Sequence, residues 1–138
     1  MIVEDAFFYQ SHRLLHSTWM YKSIHKIHHE IDITFSLAAT HTHPVEYVIG
    51  NIIPMMVGPA ILDYRMHRAS MFGWFFIRIG EGIDGHCGYS FPWNPYRVLP
   101  GVVDDDYHFF HHFQNIGNYS SFFSLWDTVF GTNSEFYK

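Results

Sequence analysis

His12-Arg-Leu-Leu-His16-Ser-Thr-Trp-Met-Tyr-Lys-Ser-Ile-His25-Lys-Ile-His28-His29 occupies residues 12–29. Residues three or four apart share a helix face, so His12 and His16 form one cluster and His25, His28 and His29 another. On one straight helix, nine residues at about 100° each would place His16 and His25 on opposite sides. The clusters converge only if the chain bends. Ser17-Thr18 is where a turn fits, and either hydroxyl can cap the helix that follows. The reading is two helices meeting at an angle, with their imidazoles turned toward one point.

A third cluster, His108-Phe-Phe-His111-His112, repeats the spacing far along the chain, and the three together hold eight of the twelve histidines. Neutral imidazole is the commonest nitrogen ligand of metals. A half-buried, hydrogen-bonded ring accounts well for any single histidine. It does not account for eight at face-sharing spacing among Leu, Ile, Tyr, Trp and Phe, a setting unlike the polar His-rich tracts that bind metal adventitiously. Two metals with four or five ligands each require roughly eight to ten donors. His86, in a loop between apolar helices and two residues after Asp84, is the natural ninth. The candidate ligands are therefore His12, His16, His25, His28, His29, His86, His108, His111 and His112. His41 and His43 read as helix-start polar residues, either of them a candidate tenth ligand, and His67, beside Arg65 and Arg68, as an interfacial charge cluster. Ligand histidines usually donate their second nitrogen to a carboxylate. Glu4, Asp5, Glu30, Glu81, Asp84 and Asp104 to Asp106 are the candidates for that role.

With 138 residues, the chain is long enough for a single domain over residues 1–138 with one modest core. Charged residues make up 15%, against roughly 25% in soluble domains, while 48% are hydrophobic and 20% aromatic. The net charge of −5 and the lack of a basic stripe exclude nucleic-acid binding. One cysteine, Cys87, excludes an internal disulfide and thiolate metal chemistry, and reads as a small buried residue. Met1-Ile-Val-Glu-Asp lacks the basic start and apolar run of a secretory signal.

Val45 to Leu62 is eighteen residues whose only polar members are Glu46, Tyr47 and Asn51, the lower edge of a membrane-spanning length. Gly50, Pro54, Gly58 and Pro59 interrupt it, as membrane helices tolerate. Met71 to Ile79, carrying Arg78, is a shorter apolar stretch. The two read as a membrane-embedded helical hairpin. Elsewhere, residues 4–31 read as helix almost throughout, residues 81–89 as an irregular Gly-rich stretch, and Pro92-Trp-Asn-Pro-Tyr as an extended loop. A helix entered through Asp104 to Asp106 should run to about Gln114. A last helix from about Ser121 to Phe130 should close on Gly131. Without period-two alternation or an internal repeat, the fold class is all-α.

Imidazoles alone do not select among zinc, copper, iron and nickel. The boxes, their order and their flanks resemble the fatty acid hydroxylase/sterol desaturase superfamily of membrane di-iron oxygenases, above all the sterol 4-methyl oxidases. Glu4-Asp-Ala-Phe-Phe-Tyr with His12-Arg-Leu-Leu-His16 is similar to the first box and its lead-in, and His25-Lys-Ile-His28-His29-Glu30 to the second. His43-Pro-Val-Glu46, Asp84-Gly-His86-Cys-Gly-Tyr-Ser-Phe-Pro-Trp, Gly117-Asn-Tyr-Ser-Ser and Trp126-Asp-Thr-Val-Phe-Gly-Thr follow in the family's order. The resemblance implies two iron ions, with zinc able to occupy the site as isolated, and monooxygenation of a lipid C–H bond by O2, a 4-methyl sterol being the nearest substrate. It implies electrons from NAD(P)H through a b-type cytochrome or reductase, and an integral protein of the endoplasmic reticulum. The family has two further membrane helices before the first box, so the chain resembles the catalytic half without that pair. Its third box usually carries Asp where this chain has Phe109. Those departures motivate an alternative: a structural subunit, metal-bound or not, of a larger complex in this or another organelle membrane, whose other subunits replace the missing helices. Bis-histidine haem ligation is a third option, disfavoured by the surplus of ligands.

Overall fold

The computed structural model describes residues 1–138 and bears out an all-α chain: its only β feature is an isolated bridge between Val102 and Phe123. Helix α1 spans Ile2–Leu15. The bend falls where the histidine spacing requires it, with Ser17 in extended conformation (φ −63°, ψ 148°) opening α2, Thr18–Ser23. The Ser17 hydroxyl makes no capping hydrogen bond, so the turn rests on the backbone alone. The second histidine box departs from the expected α-helix. His25–Glu30 winds as a 3-10 helix, with all three of its histidines buried.

Helix α3, Pro44–Arg65, contains a π-helical turn over Tyr47–Ile52. Pro54 and Pro59 lie in its second half, and neither has a backbone N–H to give to the carbonyl four residues earlier. The Met55 carbonyl left open by Pro59 is taken by the Trp74 indole N–H at 2.9 Å. That bond ties α3 to α4, Arg68–Asp84. His43 and His67 cap these two helices, accepting from the Val45 and Ala69 N–H groups through Nδ1. Only α3 is long and apolar enough to cross a membrane. Helix α4 runs past the expected end at Ile79 through Glu81-Gly-Ile-Asp84, because Arg78 grips Glu81 one turn on (2.6 Å).

Helix α5, Asp105–Gln114, starts at the Asp104 cap, whose carboxylate accepts from the Tyr107 N–H. The final helix α6 is shorter than expected, Leu125–Phe130, closing on Gly131 in the left-handed region (φ 66°). Residues 121–124 stay out of it because the buried Asp5 carboxylate takes the Phe122 and Phe123 N–H groups (2.8 and 3.3 Å) while the Phe122 carbonyl accepts from Val103. Asp127 likewise caps the Tyr119 and Ser120 N–H groups. The segment after α5 is thereby fixed against α1.

The interior is inverted relative to a soluble domain. Twenty of the 29 buried residues are polar or charged, against six hydrophobic ones outside glycine and proline. Ile52, Ile53, Ile61, Leu62, Phe72 and Phe76 on α3 and α4 are exposed. Polar groups pack inward and the apolar surface points out, the arrangement a bilayer stabilises.

Candidate metal centre

All nine histidines singled out from the sequence converge on the centre of the molecule, and they divide into two groups. His12, His16, His25, His29 and His111 form one; His28, His86, His108 and His112 form the other. Within each group one ring nitrogen per residue lies within 4.8 Å of every other. Donors about 2.0–2.1 Å from one ion stand up to roughly 4.2 Å apart, so each group is close to the span of one coordination sphere. His41, His43 and His67 belong to neither: His41 pairs with exposed Glu30 at 3.3 Å and the other two are helix caps.

Nδ1 orients most of the rings. His12 donates to the Tyr119 carbonyl (2.9 Å), His28 to His41 (3.2 Å), His86 to Gly82 (2.8 Å) and His111 to Gly117 (2.6 Å). A carbonyl oxygen only accepts, so each of these Nδ1 atoms carries the proton and each Nε2 is a bare lone pair. Yet Nε2 of His86 lies 3.3 Å from Nε2 of His28, and Nε2 of His111 lies 3.1 Å from Nε2 of His16. Nε2 of His16 is also 3.0 Å from that of His25, which in turn is 3.1 Å from that of His29. One N–H on His16 can serve only one of its two neighbours. Bare nitrogens facing each other at these distances repel unless a cation lies between them. His112 has both ring nitrogens buried without a partner, and His29 its Nδ1. The donor set therefore fits a metal ion in each group.

Burial, aided by neighbouring rings, holds His28, His108 and His111 well below the ordinary histidine pKa. Burial lowers His12 and His86 to about 4. All five are neutral at pH 7, the form that ligates metal. Between the groups lies a cavity of about 40 Å³ lined by His12, His25, His28, His86 and His108. It is too small for a porphyrin.

The carboxylates behave differently from expectation. Glu46, at the start of α3, holds the His25 Nδ1–H at 2.7 Å and is the only carboxylate bonded to a ring of the cluster. Sequence reasoning missed this role, although a lone Glu in an apolar run was the available signal. Glu4 and Glu81 instead pair with buried Arg78, at 2.8 and 2.6 Å. Glu30 pairs with His41, Asp5 holds the 122–123 backbone, and Asp84 accepts from Asn94. Asp105 pairs with Arg97 at 2.6 Å. Phe109 stacks on Phe113, with ring centroids 6.2 Å apart, away from both groups. Cys87 is partly exposed rather than buried, its thiol on the Tyr89 carbonyl at 3.2 Å.

The model of the fatty acid hydroxylase family matches residues 1–132. The chain belongs to the fatty acid hydroxylase family. Among curated members, it is 41% identical to methylsterol monooxygenase 1 of Gallus gallus, covering 98% of this chain and 45% of that one. It is 39% identical to methylsterol monooxygenase 2-2 of Arabidopsis thaliana over 96% of this chain and 50% of the relative. A very-long-chain aldehyde decarbonylase of Oryza sativa subsp. indica is 36% identical over 98% and 51%. The chain thus spans about half the length of the curated relatives it matches. No solved structure matches it.

Proposed function

We propose that residues 1–138 form one catalytic domain of a membrane-embedded di-iron monooxygenase that hydroxylates a lipid, with a methylsterol as substrate. The observation that carries this reading is the pair of inward-facing histidine groups, five and four strong, whose bare nitrogens are aimed by carbonyls and Glu46. His12, His16, His25, His29 and His111 would hold one iron, and His28, His86, His108 and His112 the other. When bound, the irons supply dioxygen activation; the chain supplies geometry and exclusion of water. The Nδ1 bonds fix each ring's tautomer and direction. Beside the second group lies a cavity of about 150 Å³, with His86 and His108 in its wall along with apolar Phe8, Met55, Ile79 and Ile83. It would admit one end of a lipid.

The sterol substrate draws on the names of the methylsterol monooxygenase relatives. Electrons from a b-type cytochrome or NAD(P)H reductase, and residence in the endoplasmic reticulum, follow from the family resemblance. The test is elemental analysis with a visible spectrum on purified protein, followed by O2-dependent turnover of a 4-methyl sterol with a reductase supplied. Two irons per chain, no haem band and a hydroxylated product are the expected result. Fewer than two metals overturns the catalytic reading and leaves the structural-subunit alternative.

A further inference from the structure

Of the polar residues in the apolar run of α3, Glu46 is engaged by His25 and Tyr47 is exposed. Asn51 is half-buried, and its side-chain amide makes no hydrogen bond within the protein. It lies in the π-helical turn Tyr47–Ile52, whose extra residue shifts the side chains that follow out of α-helical register. Such turns concentrate at functional sites. Its amide is open to the cavities rather than sealed in the core, so a ligand can reach it.

Asn51 also lines both cavities, the 150 Å³ one beside α4 and the 40 Å³ one between the histidine groups, and His86 and His108 line both as well. The charged residues in the lining of the larger cavity are Glu4, Glu81, Asp84, Asp104 and Asp105 against Arg78, with Arg97 pairing Asp105 from outside the lining, so carboxylates still outnumber cations. A carboxylate head group entering there would meet an excess of negative charge. A neutral hydroxyl meets none of that penalty, and an amide, both donor and acceptor, complements it fully.

We infer that Asn51 is a positioning residue that hydrogen-bonds the hydroxyl of a neutral lipid alcohol where the two cavities meet, setting a nearby carbon beside His86 and His108. This rests on the lipid-oxidising reading above. The surrounding carboxylates discriminate against lipids that end in an acid.

Metal-loaded protein in detergent is titrated with a 4-methyl sterol, the same sterol lacking its hydroxyl, and palmitate. Wild type is expected to bind the alcohol roughly tenfold tighter than the deoxy compound, the worth of one good hydrogen bond, and palmitate more weakly still. Asn51→Leu, close in volume, should bind alcohol and deoxy compound equally, with metal content and Tm unchanged; Asn51→Ala gives the same reading if Leu disturbs folding. Retained preference in both variants, or equal loss of affinity for both sterols, overturns the assignment. So does a wild type without preference. If that wild type still turns over the sterol, only the role of Asn51 falls; if it neither binds nor oxidises any sterol, the lipid-oxidising reading falls with it.

Discussion

At Gly117, φ is +63° and an added Cβ would lie 2.2 Å from the Thr132 carbonyl oxygen, while its own carbonyl holds the His111 ring. Gly117→Ala should therefore cost about 1–3 kcal/mol from the backbone alone, and lower metal content as His111 loses its orientation. Thermal unfolding and elemental analysis read the two effects. Gly73→Ala, in α4 with nothing within 4 Å of the new Cβ, is the control and should leave both unchanged or slightly improved. Glu46→Leu removes the one carboxylate that fixes a ring of the cluster, and chelator competition should show metal affinity falling roughly 10–100-fold.

Among the elements, the α3–α4 joint depends on a bond that exists because Pro59 cannot make it. Trp74→Phe should destabilise by about 0.5–1.5 kcal/mol, the net worth of one part-buried hydrogen bond to the Met55 carbonyl. In a Pro59→Ala background the same change should cost less, since the alanine restores a backbone N–H that donates to Met55; a double-mutant cycle by denaturant unfolding measures the difference. The bend between α1 and α2 was legible from residues 12–29 because only a bend lets His16 and His25 meet. The 3-10 winding of His25–Glu30 was not, since spacings of three and four suit an α-helix equally. The shortened α6 hid for another reason: Asp5, over a hundred residues away, takes the N–H groups that a longer helix would use. Glu46 was obscured likewise, its partner His25 lying on a different element.

For the whole molecule, the depressed histidines set the pH response. The unfolded chain takes up protons near pH 6.5, while folded His12 and His86 take them up only near 4. Between those values the unfolded state binds more protons, so apo-protein stability falls as pH drops from about 6.5 toward 4. Protons compete with metal for the same nitrogens, so metal release should accompany the loss; Tm and bound metal followed over that range test both. Chelation at pH 7 should lower Tm as well, since it restores the repulsion among bare Nε2 atoms.

The division of the histidines among the boxes gives assembly a direction. Four of the five in the larger group lie within the first 29 residues of this chain, whereas the smaller group has only His28 and His86 until His108 and His112 are made. On the two-ion reading, a chain emerging from the ribosome would grasp its first ion early and hold it with an unfinished shell. The second ion would then wait for α5, whose arrival completes both histidine groups in one step. Stalled chains ending before residue 108 should accordingly retain one metal and never two.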